Sequence, residues 1–165
     1  NPLKIKRWII DELEASMVLY FIGASRSSAA IIDQQKKNTS SGNEKAIEAM
    51  HKIKQSAIDM KQALLKGDMK EFSRILGEGW ENKKKMADNI TNSMIQEVFD
   101  LAISAGAVAG KVSGAGGGGF VMLMVEPTRK KELINALKKL NGFVMPFHFT
   151  EGGAHGWKIY STNKV

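Results

Sequence analysis

The stretch of the chain best suited to chemistry is Lys111-Val-Ser-Gly-Ala-Gly-Gly-Gly-Gly119, in which five of the last six residues are glycine. Glycine loses more backbone entropy on folding than any other residue, so a cluster of this kind needs a physical reason. Gly114-Ala-Gly116-Gly-Gly-Gly119 satisfies the letters of a G-x-G-x-x-G dinucleotide loop. That loop must open a helix whose N-terminus meets a pyrophosphate, whereas here Phe120-Val-Met-Leu-Met-Val125 follows, an apolar strand pattern. A Walker A loop fails too, because Phe120 stands where Lys-Ser/Thr is required. A flexible linker does not suit flanks that are strand-like on both sides. What remains is a turn between neighbouring strands, built almost without side chains. Its N–H groups can form an anion-binding nest, and the missing Cβ atoms admit a phosphate or another loop at close range. A plain glycine-rich hairpin with no ligand stands beside that reading, although one glycine would suffice for it.

Other residues offer weaker chemistry. Lys111 either adds a positive charge to the turn or faces solvent at a strand end. Arg26, Ser27 and Ser28 form a candidate phosphate clamp, since a guanidinium binds phosphate through two hydrogen bonds. A helix cap next to a surface arginine is the plainer reading of the same residues. His51, His148 and His155 lack metal-ligand spacing and the chain has no cysteine, so no metal site is assigned. Glu151 and His155 sit in a Gly-rich turn, where a turn role is the default, and Asp33 is not expected to be catalytic.

Composition limits the classes available. With 165 residues, 43% hydrophobic and 25% charged, the chain suits one soluble domain with a sizeable core, or a piece of a larger protein. No apolar run approaches the roughly 20 residues needed to span a bilayer, and no leader pattern is present. The lack of cysteine fits a reducing cytoplasm. A net charge of +7 favours anionic partners in general. However, Lys83, Lys84, Lys85, Lys130, Lys131, Lys138 and Lys139 share their segments with periodic apolar residues, so they are read as solvated helix faces. Nucleic acid is not expected, since the strand FVMLMV carries no aromatic-rich basic pattern, and without a spanning apolar run a membrane partner is not expected either. The opening Asn1-Pro2, without Met, is expected of an excised segment or a processed terminus.

The elements that position these residues follow from apolar spacing. Met17 to Ile22 is a continuous apolar run bounded by Gly23 and reads as a buried strand. A helix starts near Ala29, and Asn38 to Gly42 is a polar break. Ala46, Ala49, Ile53, Ala57, Met60 and Leu64 then mark one long helix ending near Gly67. A second helix begins at Asp68. Ser93-Met-Ile-Gln96 has the form of a capping box before a third, which ends at Gly106. Strands are expected at Ala107–Val112, Phe120–Val125, Phe143–Phe149 and Trp157–Tyr160, with a helix over Pro127–Leu140. Pro146 points to an edge strand or a bulge. This order predicts an α+β, ferredoxin-like sandwich, an antiparallel sheet with helices on one face, carrying a long helical insertion. The methionines and aromatics of these elements read as core packing.

At Lys111-x-Ser-Gly-Ala-Gly-Gly-Gly-Gly119 the chain resembles the third, C-terminal motif of the GHMP kinases, a superfamily that includes galactokinase, homoserine kinase and mevalonate kinase. Within it, Met17 to Gln34 and the ending Phe147-His-Phe-Thr-Glu-Gly-Gly-Ala-His-Gly-Trp157 look like the heptose 7-phosphate kinases. The resemblance covers nearly the whole chain. It implies that residues 1–165 are a single GHMP kinase C-terminal domain, with a ferredoxin-like fold. It further implies that an N-terminal ATP-binding domain is the missing partner in cis, and that a sugar phosphate is the substrate. The implied reaction transfers a phosphoryl group from ATP, with Mg2+, to the anomeric hydroxyl of a manno-heptose 7-phosphate. Lys111, Ser113, Gly114, Ala115, Gly116, Gly117, Gly118 and Gly119 would touch the phosphate or the ATP loop, and Arg26, Ser27 and Ser28 would hold the substrate. The family's ATP loop has the form Pro-x-x-x-Gly-Leu-Gly-Ser-Ser-Ala. Gly23-Ala-Ser-Arg-Ser-Ser-Ala-Ala30 lacks its proline and second glycine, so it is taken as part of the C-terminal domain. Catalytic and metal-binding groups are then expected outside this chain, and the isolated chain is expected to bind neither ATP nor Mg2+ usefully. The rival from another class is a stand-alone ferredoxin-like module that binds a small molecule or regulates.

Overall fold

Two strands set the architecture, β1 (Met17–Phe21, MVLYF) and β3 (Phe120–Val125, FVMLMV). Neither alternates apolar with polar residues, so a sheet built on them must be covered on both faces. The structure is a computed structural model that describes residues 2–23 and 28–158. Around those strands it places α1 (Arg7–Ser16), α2 (Ser28–Ser40), α3 (Glu44–Lys66), α4 (Met69–Lys84), α5 (Ser93–Ser104), β2 (Ala107–Val112), α6 (Lys130–Leu137) and β4 (Phe143–Met145). Short 3-10 turns occupy Asp88–Ile90 and Pro127–Arg129.

The strands form one antiparallel sheet in the order β2-β3-β1-β4. Met17 lies opposite Met124 and Phe21 opposite Phe120, so the two apolar strands run side by side through the middle. Alternate residues point to opposite faces. Val18, Tyr20, Val121, Leu123 and Val125 pack with Ile95, Val98 and Ala102 of α5 and with Leu133 and Leu137 of α6. Met17, Met124 and Ala109 pack instead with Ala63 of α3, Phe72, Ile75 and Leu76 of α4, and Leu13 of α1. The expected α+β class and antiparallel sheet are therefore present. The expectation of helices on one face holds for α5 and α6, and the long insertion together with α1 covers the second face. Trp80 of α4 reaches around the β2 edge and stacks on Phe99, with ring centroids 5.7 Å apart.

Helix ends follow local chemistry. The α3–α4 corner turns at Gly67 (φ 74°), and Asp68 caps α4 by accepting from the Glu71 N–H at 2.9 Å. The expected capping box at Ser93 is corrected. Asn92 is the cap, its side chain accepting from the Ile95 N–H at 2.9 Å, while Gln96 donates to Asp100. Asn92 has the extended backbone a cap requires, and a short amide reaches N3 as well as serine does. The polar break near residue 40 is shorter than expected, because α2 runs through Ser40 and Asn43 caps α3.

Four further expectations change. Helix α1 was not expected; its apolar positions Ile9 and Leu13 run into β1 with no glycine or proline between. The Pro127–Leu140 helix begins as a 3-10 turn and is α-helical over Lys130–Leu137. The strand expected over Phe143–Phe149 stops at Met145, because Pro146 has no N–H for the ladder, and β4 is an edge strand. Trp157 and Lys158 are irregular and exposed, and the rest of the strand expected there lies outside the described residues.

Beyond Pro146 the chain is tied back by Glu14 of α1. One carboxylate oxygen accepts from the Phe149 N–H at 2.7 Å, and the other lies 3.0 Å from His148 Nδ1. The His148 hydrogen bond and then the Phe149 N–H hold the Glu14 carboxyl below its ordinary range. A carboxylate lowered on folding adds stability above its unfolded pKa of about 4.3, and that stability is lost as pH falls through the lower folded value. The protection factor of the Phe149 amide, taken against the intrinsic exchange rate at each pH, should therefore hold down to about pH 5 and fall below about pH 4. Glu14→Gln should flatten that profile, and an unchanged profile in the variant would show that Glu14 does not tie the segment down.

Candidate functional site

The glycine run closes the β2–β3 hairpin. The Ser113 N–H donates to the Phe120 carbonyl at 2.7 Å, the last rung before the strands part. Gly114, Gly116, Gly117, Gly118 and Gly119 then take φ values of 76°, 110°, 77°, 152° and 85°. An L-residue in the left-handed region costs on the order of 1–2 kcal/mol, so this path is open to glycine and to little else.

The inner side of the turn is fastened to the body of the domain. The Gly117 N–H donates to the Ile90 carbonyl at 2.9 Å, and Asn92 Nδ2 donates to the Gly117 carbonyl at 3.2 Å. Asn92 thus caps α5 and anchors the turn with one side chain. A Cβ on Gly116 would lie 2.8 Å from the Ile90 carbonyl oxygen, so the backbone packs here at a distance only glycine permits. Gln35 of α2 donates to the Ala115 carbonyl at 3.4 Å, the Lys83 ammonium donates to the Gly114 carbonyl, and the Ile22 N–H donates to the Gly119 carbonyl at 2.9 Å.

The outer side is open at the two ends of the turn, while Gly116, Gly117 and Gly118 are buried. Ser113 and Gly114 are exposed, and a Cβ on Gly114 or Gly119 would meet nothing within 4 Å. Among the described residues, the N–H groups of Gly114, Ala115, Gly116, Gly118 and Gly119 donate to no protein acceptor. Lys111, half-buried on β2, stands beside Lys83 of α4. Burial first, and the Lys111 charge second, push the Lys83 ammonium below the ordinary lysine range. The turn therefore gathers backbone donors and two cations, a set that fits a phosphate-bearing partner.

The expected site residues separate into two groups. Lys111, Ser113, Gly114, Ala115, Gly116, Gly117, Gly118 and Gly119 come together in this turn. Arg26 and Ser27 lie outside the described residues, and Ser28 is the exposed first residue of α2. Ile22, just past β1, donates to the Gly119 carbonyl, which brings the end of β1 to the turn. His51 and His155 are exposed, and no cluster of three metal-binding side chains occurs among the described residues. No helix there is long and apolar enough to cross a membrane.

Lys83, Gln35, Ile90 and Asn92 were not singled out from the sequence. Lys83 was read as one of three solvated lysines. Its spacing from Trp80 and Met86, three residues either way, is the signal that it shares their inward face. Lys130 is likewise drawn inward, donating to the Glu14 carbonyl at 2.8 Å. Lys85 follows the solvated reading beside Asn82, whereas Lys84, paired with Glu81, is half-buried.

The close approach at Ile90 yields a paired test. Gly114→Ala should lose about 1–2 kcal/mol, the cost of its φ alone. Gly116→Ala should lose more, since its Cβ also meets the Ile90 carbonyl. Equal shifts in urea midpoint would show that Ile90 does not hold the turn.

Residues 60–141 match the family model described as GHMP kinases C terminal. The chain is 46% identical over 159 residues to the D-glycero-alpha-D-manno-heptose 7-phosphate kinase of Campylobacter jejuni, covering 96% of this chain and 46% of that protein. The crystal structure of a D-glycero-D-manno-heptose 1-phosphate kinase from Bacteroides thetaiotaomicron is 58% identical, with a TM-score of 0.67 over 98% of this chain and 41% of that one. L. major mevalonate kinase in complex with R-mevalonate is 16% identical over 74% of this chain and 37% of that one, with a TM-score of 0.67, and shares the fold alone. The chain thus spans less than half the length of these relatives.

Proposed function

The chain belongs to the GHMP kinases, as a C-terminal domain of that family, and on this premise we propose that it is the C-terminal part of an ATP-dependent kinase for a sugar phosphate. Residues 1–165 would be one domain, working in the cytoplasm with an N-terminal ATP-binding domain in cis. The sugar is taken from the relatives' names, which point to a manno-heptose phosphate. Those names place the phosphate on different carbons. A 7-phosphate leaves the anomeric hydroxyl free to attack, whereas a 1-phosphate blocks it, so the 7-phosphate is the substrate proposed here.

The observation that carries the reading is the two-sided turn. Its inner side is bonded to Ile90, Asn92 and Gln35, and its ends at Gly114 and Gly119 leave room for a partner's atoms beside unpaired N–H groups. Phosphoryl transfer depends mainly on positioning and charge neutralisation. A rigid set of donors serves both, because its dipoles need no reorganisation as charge develops. ATP with Mg2+, when bound, would supply the phosphoryl group and offset part of its charge. In this reading Ser113 to Gly119 press on the partner domain's ATP loop or donate to the transferring phosphoryl oxygens. Lys111 adds a positive field beside them. Arg26, with Ser27 and Ser28, holds the sugar's own phosphate through charge-assisted hydrogen bonds. No general base is assigned to this chain.

Two measurements test the proposal. The 165-residue chain alone should release no ADP from ATP and heptose 7-phosphate, and joining it to an N-terminal ATP-binding domain from a relative should restore turnover. Turnover by the chain alone would overturn the division of labour. In the joined enzyme, Arg26→Ala should raise the KM for the sugar phosphate about tenfold or more and leave that for ATP within about twofold, as expected when one charge-assisted contact of roughly 1.5–3 kcal/mol is lost. Equal changes in both would remove Arg26 from the sugar-phosphate site.

A further inference from the structure

Directly behind the glycine turn, between α2, α3, α4 and the end of β2, lies a cavity of about 380 Å3. That is within the size range of small-molecule sites. Its body is apolar, walled by Met60, Ile75, Leu76 and Trp80, and among the described residues Lys83 and Lys111 are the charged side chains in its wall. No carboxylate lines it. The residues outside the description, 1, 24–27 and 159–165, contain no Asp or Glu either. Two neighbouring ammonium groups without an acidic partner repel one another, and burial makes that costly. Lys83 relieves part of the cost by donating to the Gly114 carbonyl, a neutral acceptor.

We propose that this cavity is a second ligand site, which takes an anionic small molecule with an apolar body, its carboxylate or phosphate head between Lys83 and Lys111 and its body against Trp80. The head neutralises the two cations, and the body fills a space that water occupies poorly. The site is coupled to the turn, because a ligand head competes with the Gly114 carbonyl for Lys83. Occupancy therefore loosens one of the fastenings on the inner side of the turn. The binding claim does not rest on the kinase reading and is tested on the chain as it stands.

Three probes separate the contributions, each titrated into the 15N-labelled chain: 4-phenylbutanoate, its neutral analogue 4-phenylbutan-1-ol, and inorganic phosphate. The acid should shift the Trp80 indole and the Gly79 and Gly114 amides, binding at least tenfold more tightly than either the alcohol or phosphate. Lys83→Met and Lys111→Met should each weaken the acid about tenfold and leave the alcohol unchanged. Gly79→Leu supplies a filling variant. A Cβ there meets nothing within 4 Å, and replacing a helical glycine favours folding. It should abolish binding of the acid without lowering the melting temperature. Equal binding of acid and alcohol, binding of the acid unaffected by both lysine variants, or shifts that spare Trp80 and Gly114 would each overturn the proposal.

Discussion

The fold rests on the burial of β1 and β3, which are apolar along their whole length and lie side by side in the middle of the sheet. Burying an apolar side chain of this size contributes roughly 1.5–3 kcal/mol, and these two strands present such side chains to both faces. One layer of helices leaves half of that unrealised. Helices α5 and α6 form the layer expected of a ferredoxin-like sandwich. The second layer comes from α3 and α4, inserted between the first strand and the rest, with Leu13 of α1 at its edge. The insertion is thus a structural necessity of a sheet with two apolar faces.

The second layer also shapes the glycine turn. Helix α4 carries Lys83 to the Gly114 carbonyl, and the 3-10 turn that follows it brings Ile90 against Gly116 and Gly117. Asn92 then starts α5 and bonds the Gly117 carbonyl. One continuous piece of chain, from the end of α4 to the start of α5, therefore forms the mould into which the turn is pressed. A glycine-rich hairpin left to itself would sample many shapes. This one has a fixed inner surface, so its unpaired N–H groups keep their directions.

Most of the architecture was legible in the sequence. Strands β1, β2 and β3 fall within a residue of their expected limits, because the apolar runs of β1 and β3 and the glycines on either side of β2 leave little choice. The corner at Gly67 and Asp68 was equally clear, since a left-handed glycine beside a capping aspartate has a local cause. The turn residues could be named from Lys111 to Gly119, but what holds them could not. Ile90, Asn92, Gln35 and Lys83 reach the turn only through tertiary packing, and nothing in their own neighbourhoods announces it. Lys83 was obscured further by Lys84 and Lys85, whose charges suggested a uniformly wet surface. Helix α1 escaped because it flows into β1 without punctuation.

The order of the strands has one more consequence. Met17–Phe21 is made first, yet the residues that flank it in the sheet, Phe120–Met124 and Phe143–Met145, come near the end of the chain. Until they arrive, a greasy extended segment has both backbone edges open, the configuration most prone to pairing with another molecule. The helices synthesised in between can shelter one side of it, but they cannot satisfy its amides. Productive assembly during translation therefore depends on keeping this early segment from foreign strands until its own late neighbours have left the ribosome.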